Sequence, residues 1–434
     1  MRETALRHIG AICARTVANP TAARKALGLA ALAILASLWA SSQVRIGDSE
    51  PGSPILYPEH DYNVSSKEIN QRFPGSEELY IVAEHAEKGG IKKPEVLRAL
   101  QALQNHMLSD PSVGGSKGLP DLITQVNRLM HNDDPRWLQI PHDANYVGGL
   151  MFTYMASSPI PGALNEFTDT DDRVANLVFY YKDRQGETIR RAIHMAKQWI
   201  EQHGEEVPGL SIRLAGGTLG VAAAMNESAF ETNLVVLPLV FLLIFVFVML
   251  FYTSWHAGLM MLLAMAFATA LTYAYMGLAG MGIDINTVPV IAVGIGVGID
   301  YSIYMMDRIR EEMAKFGRLT DAVRQAIATT GIAISFTALT LMAGIIMWVI
   351  LSDLRFQSDA ALLLCVMIVI NAIAAMLLVP AWVLVFKPKF ITGAYADEDG
   401  ILHADAAVPA SAEPQPVAPC VATVGLPQGE RHPA

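Results

Sequence analysis

Cysteine is scarce. Cys13, Cys365 and Cys420 are the whole complement of a 434-residue chain, and they lie far apart. That spacing fits neither a disulfide framework nor a cysteine metal site. Charge is scarce as well. Asp, Glu, Lys and Arg make up 17% of the residues and hydrophobic side chains 52%, against about 25% charged in a typical soluble chain. A soluble protein of this length needs more charge to cover its surface, so a soluble enzyme is excluded, as is disorder over most of the length. The 31 basic residues are outnumbered by 41 acidic ones, giving a formal net charge of -10, and no basic face is available for nucleic acid. Histidines such as His85, His106, His131 and His194 are scattered without ligand spacing. Neither a Ser/His/Asp arrangement nor a phosphate loop stands out, so the sequence asks for no cofactor, no metal, no enzymatic activity and no ATP-driven step.

What is present is a set of long apolar runs. A spanning helix needs about 20 mostly apolar residues, and six segments qualify: 25–43, 233–252, 256–278, 286–306, 331–351 and 360–386. The first is read as a retained helix rather than a signal peptide, because a long stretch with five basic residues and one acid precedes it. The positive-inside rule sets the orientation. With six spans both termini are cytoplasmic, which puts Arg2, Arg7, Arg15, Arg24 and Lys25 inside. Arg308, Arg310, Lys315, Arg318 and Arg324, and later Lys387 and Lys389, fall on the same side. The short outer loops carry one basic residue, Arg355. The expected location is an inner (plasma) membrane.

The chain therefore divides into a cytoplasmic N-terminus (1–24), a first span (25–43), an outer domain (44–232), a five-span membrane domain (233–387) and a tail (388–434). The outer domain holds most of the negative charge, with 17 basic and 26 acidic residues over 45–232. The Ala/Pro-rich tail reads as disordered. Residues 307–330 read as a connector lying on the membrane surface, with Ile309, Met313, Phe316, Ala322 and Ile327 as its apolar face. In the outer domain, strands are expected at 79–83, 113–119, 174–181 and 210–214, with helices at 94–107 and 187–203. That order, β-α-β, an insertion over 120–170, then β-α-β, fits an α+β split βαβ (ferredoxin-like) sandwich. A helix from Thr218 should run into the second span as a lever between outer domain and membrane.

The fourth span carries the most informative residues: Gly294, Gly296, Gly298, Asp300 and Tyr301. Asp300 is the one carboxylate between Ile285 and Met306. A charge at the bilayer centre costs at least ~2.5–3.5 kcal/mol on insertion scales, so intramembrane acids normally face protein and serve ion or proton movement. The bland alternative is snorkelling, since Asp300 lies roughly 9 Å from the cytoplasmic end of its span. Tyr301 points about 100° away from Asp300 on the helix, so the pair calls for a second helix facing this one. Gly294 and Gly298 make a small-xxx-small face that admits a close neighbour, and the G-x-G-x-G spacing is not a nucleotide loop. Ser335, Thr337 and Thr340 are hydroxyls in the apolar fifth span, available for a relay or only for bonds to their own backbone. Asn371 marks a polar contact in the sixth span, while Pro380 and Pro238 mark kinks.

Two stretches carry a family resemblance: residues 47–63 (GDSEPGSPILYPEHDYN), and a run from Gly294 (GIGVGIDYSIYMMDRIRE) through Thr329, Thr330 and Gly331 to Ser335 and Thr337. With one span, a large outer domain and five further spans, the chain resembles half of a resistance–nodulation–division (RND) transporter, in the MMPL and Patched-like branch. Residues 47–63 look more like the second half of a full-length member. The resemblance implies twelve spans in two pseudo-symmetric halves, whose Asp-Tyr pairs cross-bond and carry protons. Asp300 would be the proton carrier and Tyr301 the partner of the other half's Asp. Only one half is present here, so the chain is expected to pair with itself, to pair with a separately encoded first half, or to be a truncated product. The five-span unit is also similar to a sterol-sensing domain, which places membrane lipids and lipid-like or sterol-like molecules among the ligands.

The leading expectation is thus a proton-coupled transporter subunit that exports or relocates a hydrophobic or amphipathic molecule. The alternatives are a lipid-sensing or assembly protein without transport, a protein-translocation accessory, and a truncated half that needs its partner.

Overall fold

The computed structural model describes residues 19–44, 47 and 52–393. The expectations for the extreme N-terminus, for Cys13 and Cys420, and for the tail beyond 393 lie outside the described residues. The molecule is mostly helical, with six helices long and apolar enough to cross a membrane and one four-stranded sheet.

The first span, α1 (Pro20–Ser41), is followed by α2 (Asp61–Arg72). Next come β1 (Glu77–His85), α3 (Pro94–Met107) and β2 (Val113–Lys117). Helices α4 (Leu119–Met130) and α5 (Ala144–Ser157) occupy the expected insertion. The domain closes with β3 (Val174–Tyr181), α6 (Gly186–His203) and β4 (Leu210–Gly216). The strands pair antiparallel in the order β2-β3-β1-β4. In β1, Leu79, Ile81 and Ala83 alternate inward, as period-2 patterning requires. They meet Leu97, Leu100, Leu103 and Met107 of α3 and Ile189, Ala192, Ala196 and Trp199 of α6 in one core.

Gly216 and Gly217 turn β4 into α7 (Gly217–Tyr252), a continuous helix of 36 residues and, at 1.5 Å each, about 54 Å long. Gly217 has φ +81, and a Cβ there would overlap the Glu78 carbonyl. Glycine is required by both backbone conformation and space. The Glu78 N–H donates to Thr218 Oγ1 at 2.8 Å. The expected lever is therefore one continuous helix, with Pro238 inside it, fastened to the sheet at its first turn.

The other spans are α8 (Trp255–Ala279), α9 (Thr287–Phe316), α10 (Leu319–Leu351) and α11 (Arg355–Phe386), after which comes the short α12 (Lys389–Thr392). The bundle is built around α8 and α11, with α1, α7, α9 and α10 against them. α7 and α10 bury only 6% and 11% of their apolar windows, so one side of the bundle is uncovered.

The 307–330 region is not a separate surface helix. α9 runs to Phe316, Gly317 caps it in the left-handed conformation, and α10 starts at Leu319. Ile309, Met313, Ala322 and Ile327 are buried in the helix hairpin, while Phe316 is exposed. Arg308 and Lys315 pair with Glu311 and Glu312 at i,i+3 and i,i+4, which supports helix beyond the apolar core. Residues 389–392 are also helical, with Ile391 and Thr392 buried, where the tail was expected to begin.

Residues 52–63 fold around Asn63. Its Nδ2 donates to the carbonyls of Ser53, Leu56 and Tyr57, and its Oδ1 accepts from Ser53 N–H. The Gly47 N–H bonds Ile283 O at 2.9 Å, and Leu56 bridges to Leu354. The segment therefore ties together the outer loops that precede α9 and α11.

Candidate functional site

Helix α9 is positioned by what packs on one of its faces. A Cβ at Gly294 would overlap Met367, and one at Gly298 would overlap Asn371, both on α11. Asn371 Nδ2 donates to Gly294 O at 3.3 Å. The small-residue face is therefore filled from within this chain, and it brings α9 and α11 into close contact. Gly296 differs: nothing lies within 4 Å of its Cβ position.

That contact fixes the rotation of α9 and hence the direction of Asp300. The carboxylate is exposed on the uncovered side of the bundle, and among the described residues it has no hydrogen bond and no ion pair. Val293, Gly296, Asp300, Tyr304 and Asp307 are all exposed. Their spacings of three, four, four and three residues form a continuous stripe of the kind that seats another helix. Tyr301 points elsewhere. It is 4% exposed, inside its own bundle, and its hydroxyl is buried beside Thr337 of α10.

The α10 hydroxyls turn back on their own helix. Ser335 Oγ donates to Gly331 O at 2.8 Å and lies 3.7 Å from Met376 Sδ. Thr337 Oγ1 lies 3.1 Å from Ala333 O and 3.0 Å from Ile334 O, and Thr340 Oγ1 donates to Phe336 O at 2.8 Å. The structure thus brings Tyr301 and Thr337 together, and joins neither Ser335 nor Thr337 to Asp300.

Two polar pairs escaped the sequence reading. Asn233 on α7 and Tyr273 on α8 exchange hydrogen bonds at 2.8 and 3.0 Å. Tyr252, the last residue of α7, donates to Asp307 Oδ1 at 2.7 Å. Asn233 and Tyr252 each stand at an end of the apolar part of α7, and that placement was the available signal. Among the described residues no three His, Cys, Asp or Glu side chains converge as metal ligands. Two clefts flank α7 in the outer part, one against α6 and one at the loop before α9.

The MMPL family model matches residues 55–393, and the chain belongs to that family. Among solved structures, the fold is similar to the hedgehog release protein Disp from the water bear Hypsibius dujardini, with a TM-score of 0.54 at 11% identity. The match covers 87% of this chain and 49% of that one, so this chain spans about half the length of the structure it resembles. No curated protein matches it in sequence.

Proposed function

We propose that this chain is one half of an RND-type transporter that uses the proton-motive force to export or relocate a hydrophobic or lipid-like molecule. Asp300 is the proton carrier. The observation that carries this reading is the direction of Asp300: an unpaired carboxylate in an apolar span, on an open stripe that also holds Gly296. A charge left against lipid is costly, so the stripe calls for protein to cover it, and a second half supplies the facing helix. Protonation of Asp300 would change how α9 seats against it, and α7 would carry the shift to the outer domain. The strand order β2-β3-β1-β4, with α3 and α6 as the crossover helices, supports reading that domain as ferredoxin-like. Basic residues on one side of the spans support a plasma-membrane protein with cytoplasmic termini.

One observation favours a lipid sensor instead. Ser335 and Thr337 spend their hydroxyls on their own helix, so no relay is wired to Asp300 within this half. The test is Asp300→Asn in membrane vesicles carrying an imposed pH gradient. The transporter reading expects gradient-driven movement of a hydrophobic substrate to vanish. Undiminished movement in a folded, membrane-inserted variant would refute it.

A further inference from the structure

Where α7 leaves the outer domain, a cavity of about 590 Å3 opens between its first turns and the loop before α9. That size is within the range of roughly 300–1,000 Å3 typical of small-molecule sites. Val221 and Met225 of α7, Ile285 of the loop and Ile55 of the segment after α1 form its apolar wall. These four side chains are 40–55% exposed, an uncommon convergence of large uncovered apolar groups at the junction of outer domain and bundle.

The polar end of the cavity is unbalanced. Arg184, just before α6, lines it. Its Nε is buried without a hydrogen-bond partner, and among the described residues it has no ion pair. The lining carboxylate, Asp284, is already engaged. Its Oδ1 accepts from the backbone N–H groups of Asn286 and Thr287, and its Oδ2 from Asn286 Nδ2. It also lies against the N-terminus of α9, where the helix dipole offsets negative charge. A guanidinium presents its donors in a planar fork that suits a phosphate or carboxylate.

We propose that this junction cavity binds an anionic amphipathic molecule, with Arg184 taking a phosphate or carboxylate head and Val221, Met225 and Ile285 taking an alkyl tail. As a cargo site it rests on the transporter reading above; as a binding site it does not. Both parts of the ligand are needed. The head answers an unpartnered donor, since a buried polar group without a partner is unfavourable. The tail answers apolar surface that no other described residue covers.

The full chain in phosphatidylcholine nanodiscs, titrated with the fluorescent amphipath dansylaminoundecanoic acid against empty discs, tests this. Saturable binding is expected, displaced by dodecyl phosphate and not by inorganic phosphate or dodecanol at the same concentration. Arg184→Gln should weaken binding by about tenfold, and Arg184→Lys, which keeps the charge, by less. Binding no greater than in empty discs, or equal affinity in a folded Arg184→Gln variant, would overturn the proposal. Displacement by inorganic phosphate would reduce the site to an anion site, and displacement by dodecanol to a grease pocket; either overturns it. If Asp300→Asn transports normally while the parent chain binds the probe as expected, the transporter reading fails and the cavity stands.

Discussion

The Tyr252 hydroxyl and the Asp307 carboxylate, 2.7 Å apart, join the C-terminal end of the long helix α7 to α9, seven residues past Asp300. Asp307 occupies the same stripe as Asp300, about 10 Å further along at 1.5 Å per residue. The Tyr252 ring also lies 5.9 Å from the Phe390 ring, so the pair gathers α7, α9 and α12 at one point. The helix that starts on the sheet at Gly217 therefore ends on the helix that holds the acid. If α7 transmits motion, this bond is where it couples. Tyr252→Phe keeps the ring and removes the bond, at a cost of about 1 kcal/mol in stability. Gradient-driven transport should fall several-fold with the protein still folded. Unchanged transport, with a small drop in the thermal midpoint, would show that the bond is only structural.

The glycines of α9 should separate into two classes. Gly298→Ala places a methyl on Asn371 and Gly294→Ala one on Met367; overpacking of this kind costs typically about 1–3 kcal/mol. Asn371 is buried and has little room to move, so Gly298→Ala should lower the yield of folded protein more than Gly294→Ala, where a flexible methionine can shift. Gly296 faces open space, and Gly296→Ala should fold at least as well as the parent, since alanine is the better helix former by up to about 1 kcal/mol. Gly296→Leu is the informative variant. It should fold normally yet fail to assemble with a second half, read as loss of the dimeric species in native mass spectrometry and of cross-linking at Val293. A Gly296→Leu protein that assembles like the parent would remove the stripe from the interface.

Much of the frame was legible in the sequence because a strong periodic pattern met a strong boundary signal. Helix α3 starts at Pro94, and the β-branched, aromatic run of β3 occupies the expected residues 174–181. Helix α5 gave no such signal. It has no charged residue, and Phe152 and Met155 are exposed while Val147, Leu150 and Met151 are buried, so apolar residues lie on both faces and no period emerges. The connector misled for the opposite reason. Its apolar residues do repeat at helical spacing, but the surface they cover is protein rather than the membrane plane. In the site, spacing showed that Gly294 and Gly298 share a face without showing which helix fills it. Sequence places Asp300 in a span; the outward turn of its carboxylate comes from Asn371 and Met367 packing on the opposite side. Tyr301 follows from the same rotation, and its burial against α10 was beyond reach of any pattern within α9.

Asn63 holds the segment of residues 52–63 together almost alone. It is 5% exposed and makes four hydrogen bonds to backbone groups. Asn63→Ala leaves one N–H and three carbonyls to find other partners, and each such loss costs about 1 kcal/mol or more when buried. The expected result is a drop of several degrees in the thermal midpoint and faster proteolysis between residues 52 and 60. Asn63→Asp keeps the acceptor for Ser53 N–H but loses the donor to three carbonyls, and should be nearly as damaging. A normal proteolytic pattern in Asn63→Ala would mean that the bonds from Gly47 and Leu56 suffice to hold the segment.

Asp121 gives a pH dependence whose sign can be worked out. Its carboxyl is raised above the ordinary range by burial, partly offset by hydrogen bonds from Gln104 Nε2, at 2.6 Å, and from the Gly118 backbone. A raised carboxyl binds its proton more tightly folded than unfolded. Its stabilising contribution is therefore full below the unfolded value, about 3.9, and is lost as pH rises through the folded value. Asp121→Asn carries no titrating group and still offers an oxygen to Gln104. The difference in denaturation midpoint, variant minus parent, should then grow in the variant's favour from about pH 4 upward and level off by neutral pH. Taking the difference cancels every other carboxylate in the chain. A gap that is flat across this range, or that favours the parent increasingly as pH rises, would show that the Gln104 bond outweighs burial at this site.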